Sequence, residues 1–149
     1  MWNDSRSLVL SKICVIVFMV LLLACVVLAP RVVAMLLSIS ALASSAGKVY
    51  FLTTIYVGCV PCAALLILMY ILLRRIGAGS VFVRENTACL RHISWCCYAG
   101  AVICLGSALY YVPWFAIGVA AAFMGLIVRV IKNVVAKAVS LQDDADLTV

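Results

Sequence analysis

Two groups of residues have types and spacings suited to chemistry. The first is Cys59-Val60-Pro61-Cys62, a C-x-x-C pair. Thiols so spaced cycle between dithiol and disulfide, the chemistry of a membrane thiol oxidoreductase. Such an enzyme also needs a second shuttling pair in an outer loop, and the sequence has none. Cys59 lies ~13 Å along a helix from Tyr50, in an apolar run where thiolates form poorly. Pro61 suits a helix kink better than a redox turn. The second group is Cys89, His92 and Cys96, at i, i+3 and i+7 on one helical face. That spacing suits a soft metal such as zinc, but a fourth ligand is missing. No metal and no cofactor are therefore assigned. With one His and five acids, three of them in the last seven residues, general acid–base catalysis lacks its parts. The expectation is a non-enzyme, with a Cys59/Cys62 oxidoreductase as the alternative and a small transporter or channel subunit as a third.

The elements that position these residues follow from the medium. The 149-residue chain is 68% hydrophobic with a mean hydropathy of +1.30. A soluble domain of this length has too little interior for so much apolar surface, so a bilayer is the solvent. Seven of the eight cysteines lie in apolar runs, where they serve as small polarizable packing residues. The eleven basic residues sit at segment ends, which suits topology signals and anionic lipid rather than direct nucleic-acid binding.

Ile13 to Ala29 is an uncharged run, as are Val49 to Leu73 and Ile93 to Val128. A spanning helix needs about 20 residues, so the third run suits two spans. Its break is Tyr110-Tyr111-Val112-Pro113-Trp114, with Pro113 opening a helix and the aromatic rings suited to a headgroup layer. Four spans are expected, near 13–29, 50–73, 93–111 and 114–131, with a central loop at 74–92 and a tail at 132–149. The expected fold is a single all-α integral membrane domain packed as a four-helix bundle. The spans lack Asp, Glu and Lys, and their one Arg is Arg129 near an end. A proton-coupled exporter would need a membrane carboxylate.

Counting Lys and Arg sets the orientation. With the N-terminus inside, the inner segments hold Arg6, Lys12, Arg74, Arg75, Arg84, Arg91, Arg129, Lys132 and Lys137. The outer ones hold Arg31 and Lys48. The positive-inside rule makes both termini and the central loop cytoplasmic. The outer connection over 30–48 repeats Val32, Leu36, Ile39 and Ala43 at helical spacing, which predicts an interfacial or re-entrant helix. Leu22 to Cys25 imitates a lipoprotein cleavage box, but the apolar run continues to Ala29, so an uncleaved first span is expected. Small residues form stripes that let helices approach closely: Cys96, Gly100, Cys104 and Ala108 on the third span, Gly118 with Ala122 and Ala121 with Gly125 on the fourth.

The central loop is the long polar interruption. Arg74 and Arg75 stop the second span, a Gly-Ala-Gly stretch breaks the helix, and a short cytoplasmic amphipathic helix restarts near Arg84. Its simplest use is to lie at the inner headgroups, with Arg84 and Arg91 against lipid phosphates. Glu85 lies in its first turn, where the helix dipole favours an acid. Gly79, Phe82, Glu85, Asn86, Leu90, Arg91 and Ile93 fit the pattern G-x-x-F-[ST]-x-E-N-x-x-x-L-R-x-I, and the chain ends Asp144-Ala145-Asp146-Leu147-Thr148-Val149. This loop and tail resemble the domain-of-unknown-function 2975 family of small four-helix bacterial membrane proteins. One departure is Val83, where the pattern has a capping Ser or Thr, so the helix start is expected to fray or move.

The resemblance implies no established activity. It implies a regulatory or accessory protein of the bacterial cytoplasmic membrane, whose relatives often sit beside small helix-turn-helix regulators. A cytoplasmic protein of that kind is the expected partner, besides the lipid bilayer and a homo-oligomeric copy. The expected contact surface is the loop motif with Asp146, Leu147 and Thr148. Asp143, Asp144 and Asp146 lie on the same inner side as Arg84 and Arg91, so tail and loop are expected either to dock on each other, with apolar help from Leu141, Leu147 and Val149, or to form jointly a cytoplasmic surface for a protein partner.

Overall fold

In lipid a backbone must satisfy its own hydrogen bonds, so long apolar runs become helices. The computed structural model describes residues 4–39, 45–79 and 83–148. Its elements are α1 (Asp4–Ile39), α2 (Ser45–Gly77), α3 (Arg84–Ser107) and α4 (Pro113–Leu147). All four are long and apolar enough to cross a membrane. Leu23, Val60, Val102 and Phe123, one from each helix, remain 62–70% exposed. Side chains of this kind facing outward on every helix require an apolar surrounding, which makes this a membrane protein.

The helices outrun the expected spans. α1 continues through Pro30 to Ile39, so residues 31–39 extend the first helix instead of forming a separate interfacial one. Proline removes one N–H and leaves the carbonyl four residues earlier unserved. That carbonyl belongs to Val26, and the Tyr56 hydroxyl of α2 donates to it at 3.4 Å. Residues 40–44 of the expected outer segment lie outside the described residues. The amphipathic stretch expected before the third span is the beginning of α3 itself, and most of the expected tail is the continuation of α4.

Packing is serial. α1 lies on α2, α2 on α3, and α3 most extensively on α4. Among the described residues α1 and α4 make no close backbone approach, so the closed four-helix bundle gives way to an open series. Hydrophobicity does not draw helices together in lipid, and each pair meets only where its side chains interlock. The small-residue stripes are redistributed accordingly. A Cβ on Gly118 would stand 2.8 Å from Leu105 Cγ, and one on Gly125 would stand 3.0 Å from Tyr98 and 3.1 Å from Cys97 Cβ. Gly100 has nothing within 4 Å. The close approach of α3 to α4 thus uses Gly118 and Gly125, seven residues apart on one face.

The two ends of the molecule differ. At one end Val33 and Leu37 of α1 pack with Phe51 of α2, against Tyr110, Tyr111 and Trp114. Phe51 meets Tyr110 and Tyr111 edge-on, at centroid distances of 5.3 and 5.1 Å. Beneath the rings runs a hydroxyl chain. Thr54 Oγ1 lies 2.8 Å from Ser107 Oγ and 2.6 Å from the Tyr110 hydroxyl. Ser107 donates its one proton to the Ile103 carbonyl, 2.9 Å away. Each hydroxyl has one proton to give, so Thr54 donates to Ser107, and the Tyr110 hydroxyl shares its proton between Thr54 at 2.6 Å and the Tyr50 carbonyl at 3.4 Å. This fixes α2 to the end of α3.

At the other end Leu72 of α2 packs with Cys89, Leu90 and Ile93 of α3. The Cys89 thiol donates to the Leu68 carbonyl at 3.3 Å. α2 ends in a turn where Ala78 and Gly79 donate back to the last helical carbonyls. Gly79 has φ +84°, which a side chain would strain. α3 starts directly after Val83, whose φ of −123° and ψ of 147° are those of an N-cap without a side-chain cap bond. The missing hydroxyl therefore leaves the helix start in place. Val83→Ser is expected to stabilise the protein by about 1 kcal/mol, read as a higher unfolding midpoint in a mild detergent.

Candidate functional site

The polar features of the basic end converge where the beginning of α3 meets the far part of α4. Arg84, Thr87 and Arg91 recur at helical spacing on α3, and Lys132, Ser140 and Asp143 line the facing side of α4. Between them lies a cavity of about 340 Å³. Arg84 Nη2 donates to Asp143 Oδ2 at 2.8 Å, the one ion pair among the described residues. The side chains are 84% and 47% exposed, so the pair contributes little to stability. The carboxylate nevertheless raises the Arg84 pKa, chiefly through this hydrogen bond. The Thr87 hydroxyl is buried without a hydrogen-bond partner.

The loop motif divides by direction. Asn86 is 2% exposed, and Leu90 and Ile93 are buried in the cluster with Leu72. Glu85 and Arg91 are exposed. Gly79 makes the turn, and Phe82 lies outside the described residues. In the tail, Leu147 is 86% exposed and the Thr148 hydroxyl donates to the Asp144 carbonyl at 2.6 Å. Asp146 belongs to the last turn of α4. The structure thus brings Arg91 to the cavity and leaves Leu147 and Thr148 at the exposed helix end. Apolar contact for the tail comes from buried Val139, while Leu141 and Leu147 stay exposed. Val149 lies outside the described residues.

Lys132, Ser140 and Asp143 join this surface only because α4 remains helical past the apolar run. Their spacing of eight and then three residues on a helix is the available signal, obscured because the uncharged apolar run ends at Val128, before Lys132. The thiol sites lie elsewhere. Cys59 is half-buried and Cys62 exposed, one turn apart within α2. Cys89 is turned to α2, His92 and Cys96 line an apolar groove between α2 and α3, and no metal-holding group of His, Cys, Asp or Glu forms among the described residues.

A family model described as a protein of unknown function, DUF2975, matches residues 40–149. The chain belongs to the DUF2975 family. The match takes in α2, α3, α4, the loop motif and the tail, and leaves out α1. The DUF2975 region therefore contains both walls of the cavity and the Arg84–Asp143 pair. No curated protein and no solved structure matches the chain.

Proposed function

We propose that this DUF2975 protein is a non-enzymatic membrane protein of the bacterial cytoplasmic membrane with a regulatory or accessory role. It presents the α3–α4 surface to a cytoplasmic protein partner, of which a small helix-turn-helix regulator is the expected kind. The observation that carries this reading is the joining of loop and tail by Arg84 and Asp143 into one polar surface on an otherwise apolar protein. Nine of the eleven basic residues belong to that end, and Arg31 and Lys48 to the aromatic end. This distribution supports an orientation with both termini inside. The motif supports a division of labour, in which Asn86, Leu90 and Ile93 hold the surface and Glu85 and Arg91 present it.

The test is co-purification in mild detergent. The intact protein is expected to retain a cytoplasmic companion that is mostly lost from Glu85→Ala, from Arg91→Glu and from a chain ending at Gln142. Equal recovery from all four proteins, or no companion from any, removes the reading. Orientation is tested separately with an epitope tag after Val149, expected to be protected in spheroplasts and cleavable in inverted vesicles. The reverse pattern would place the surface outside the cell.

A further inference from the structure

We infer that the cavity between α3 and α4 is a binding site for a phosphate group, held by Arg91 and Lys132 with Arg84 at its rim. The wall has three cations and one acid: Arg84, Arg91 and Lys132 against Asp143. Asp143 is engaged with Arg84. Arg91 and Lys132 have no ion pair or hydrogen bond among the described residues, although both face the same recess. Like charges converging on a concave surface repel one another unless an anion lies between them. Thr87 also lines that wall. The cavity, at about 340 Å³, is large enough for a phosphate and a small attached group.

Depth favours a lipid as the source of that phosphate. Trp114 lies in the aromatic end, and Lys132 is ~27 Å further along α4. The hydrocarbon layer is about 30 Å thick. With the rings at one headgroup layer, Lys132 and Arg91 reach the opposite one, where lipid phosphates lie. Asp143 is another ~16 Å along the helix, beyond that plane. It is therefore a resident acid at the cavity rim, which neutralises Arg84 and leaves Arg91 and Lys132 to an incoming phosphate. Bidentate guanidinium contacts and the point charge of Lys both suit phosphate oxygens. The inference goes beyond the partner-contact reading and does not require it, because binding is measured on the purified full chain alone.

Two arms distinguish the sources. In the first, protein in mixed micelles containing phosphatidylglycerol or phosphatidylcholine is examined by native mass spectrometry for a bound lipid. In the second, sodium phosphate is compared with sodium chloride at equal ionic strength for its effect on the unfolding midpoint. The expected result is one phosphatidylglycerol bound in preference to phosphatidylcholine, with affinity lowered about tenfold in the Arg91→Gln, Lys132→Gln double variant. Asp143→Asn is expected to tighten binding, because the one acid that repels an anion from the cavity is gone. Lys137→Gln, a basic residue that does not line the cavity, is expected to match the unaltered protein. Stabilisation by inorganic phosphate that follows the same variant order would support the site and identify a soluble source. Failure of both arms, or an equal loss in Lys137→Gln and the double variant, would overturn it.

Discussion

Asn86→Asp is expected to lower stability by roughly 3–5 kcal/mol, because it places a carboxylate in a site where no charge can be hydrated. Asn86 is 2% exposed, among the most completely buried side chains of the protein. Glu85, its neighbour in the motif, is exposed. Glu85→Gln should therefore change stability by no more than about 0.5 kcal/mol. Unfolding in mild detergent, followed by intrinsic fluorescence, measures both. Acidity separates charge from shape. The introduced carboxyl would bind its proton more readily in the folded protein than in the unfolded chain, so its folded pKa is raised. The penalty is fullest at high pH and shrinks as pH falls toward and below that raised value. Asn86→Leu, which removes polarity without adding charge, should show a deficit independent of pH. A pH-independent deficit in Asn86→Asp would mean that the side chain is not sequestered from water, and α3 would then be seated differently on its neighbours.

Gly118→Val should cost about 3 kcal/mol by forcing α3 and α4 apart. Its Cβ would stand 2.8 Å from Leu105 Cγ and 3.1 Å from the Leu105 backbone nitrogen. The leucine side chain can swing away, but the nitrogen belongs to the helix backbone and cannot. Gly100→Ala has nothing within 4 Å to meet. It should be neutral or raise stability by up to about 1 kcal/mol through helix propensity alone. The comparison discriminates between the glycine that permits a close approach and the one that merely faces outward. Equal effects of the two substitutions on the unfolding midpoint would place the α3–α4 contact on another face.

The cavity depends on the same hairpin. Separating α3 from α4 at Gly118 should loosen the seam that continues toward Arg91 and Lys132. The distance from Gly118 to Lys132 is ~21 Å along α4, so a displacement at one end reaches the other only through the packed helices. Gly125, with Tyr98 and Cys97 against it, lies between the two and is the intermediate point of that seam.

What the sequence determined by itself is local. Whether a segment enters lipid depends on its own hydropathy, and a lipid-embedded backbone has little choice but a helix. The four spans, the break at Pro113, and the arginines that end α2 could therefore be found one segment at a time. The motif itself was legible, but not that Asn86, Leu90 and Ile93 are its inward residues. Tertiary structure decided everything that depends on two segments at once. Pro30 ends a helix in isolation, yet α1 runs on where Tyr56 serves the freed Val26 carbonyl. Gly100 and Gly118 carry the same small-residue signal, and only the rotation of each helix about its axis selects Gly118 for the contact. Asp143 is one of several tail acids until α4 continues far enough to bring it to Arg84. The physical reason is that lipid is as apolar as the helices it surrounds. Hydropathy sends a segment into the membrane without choosing its neighbour, and that choice is left to interlocking shape and a few polar contacts.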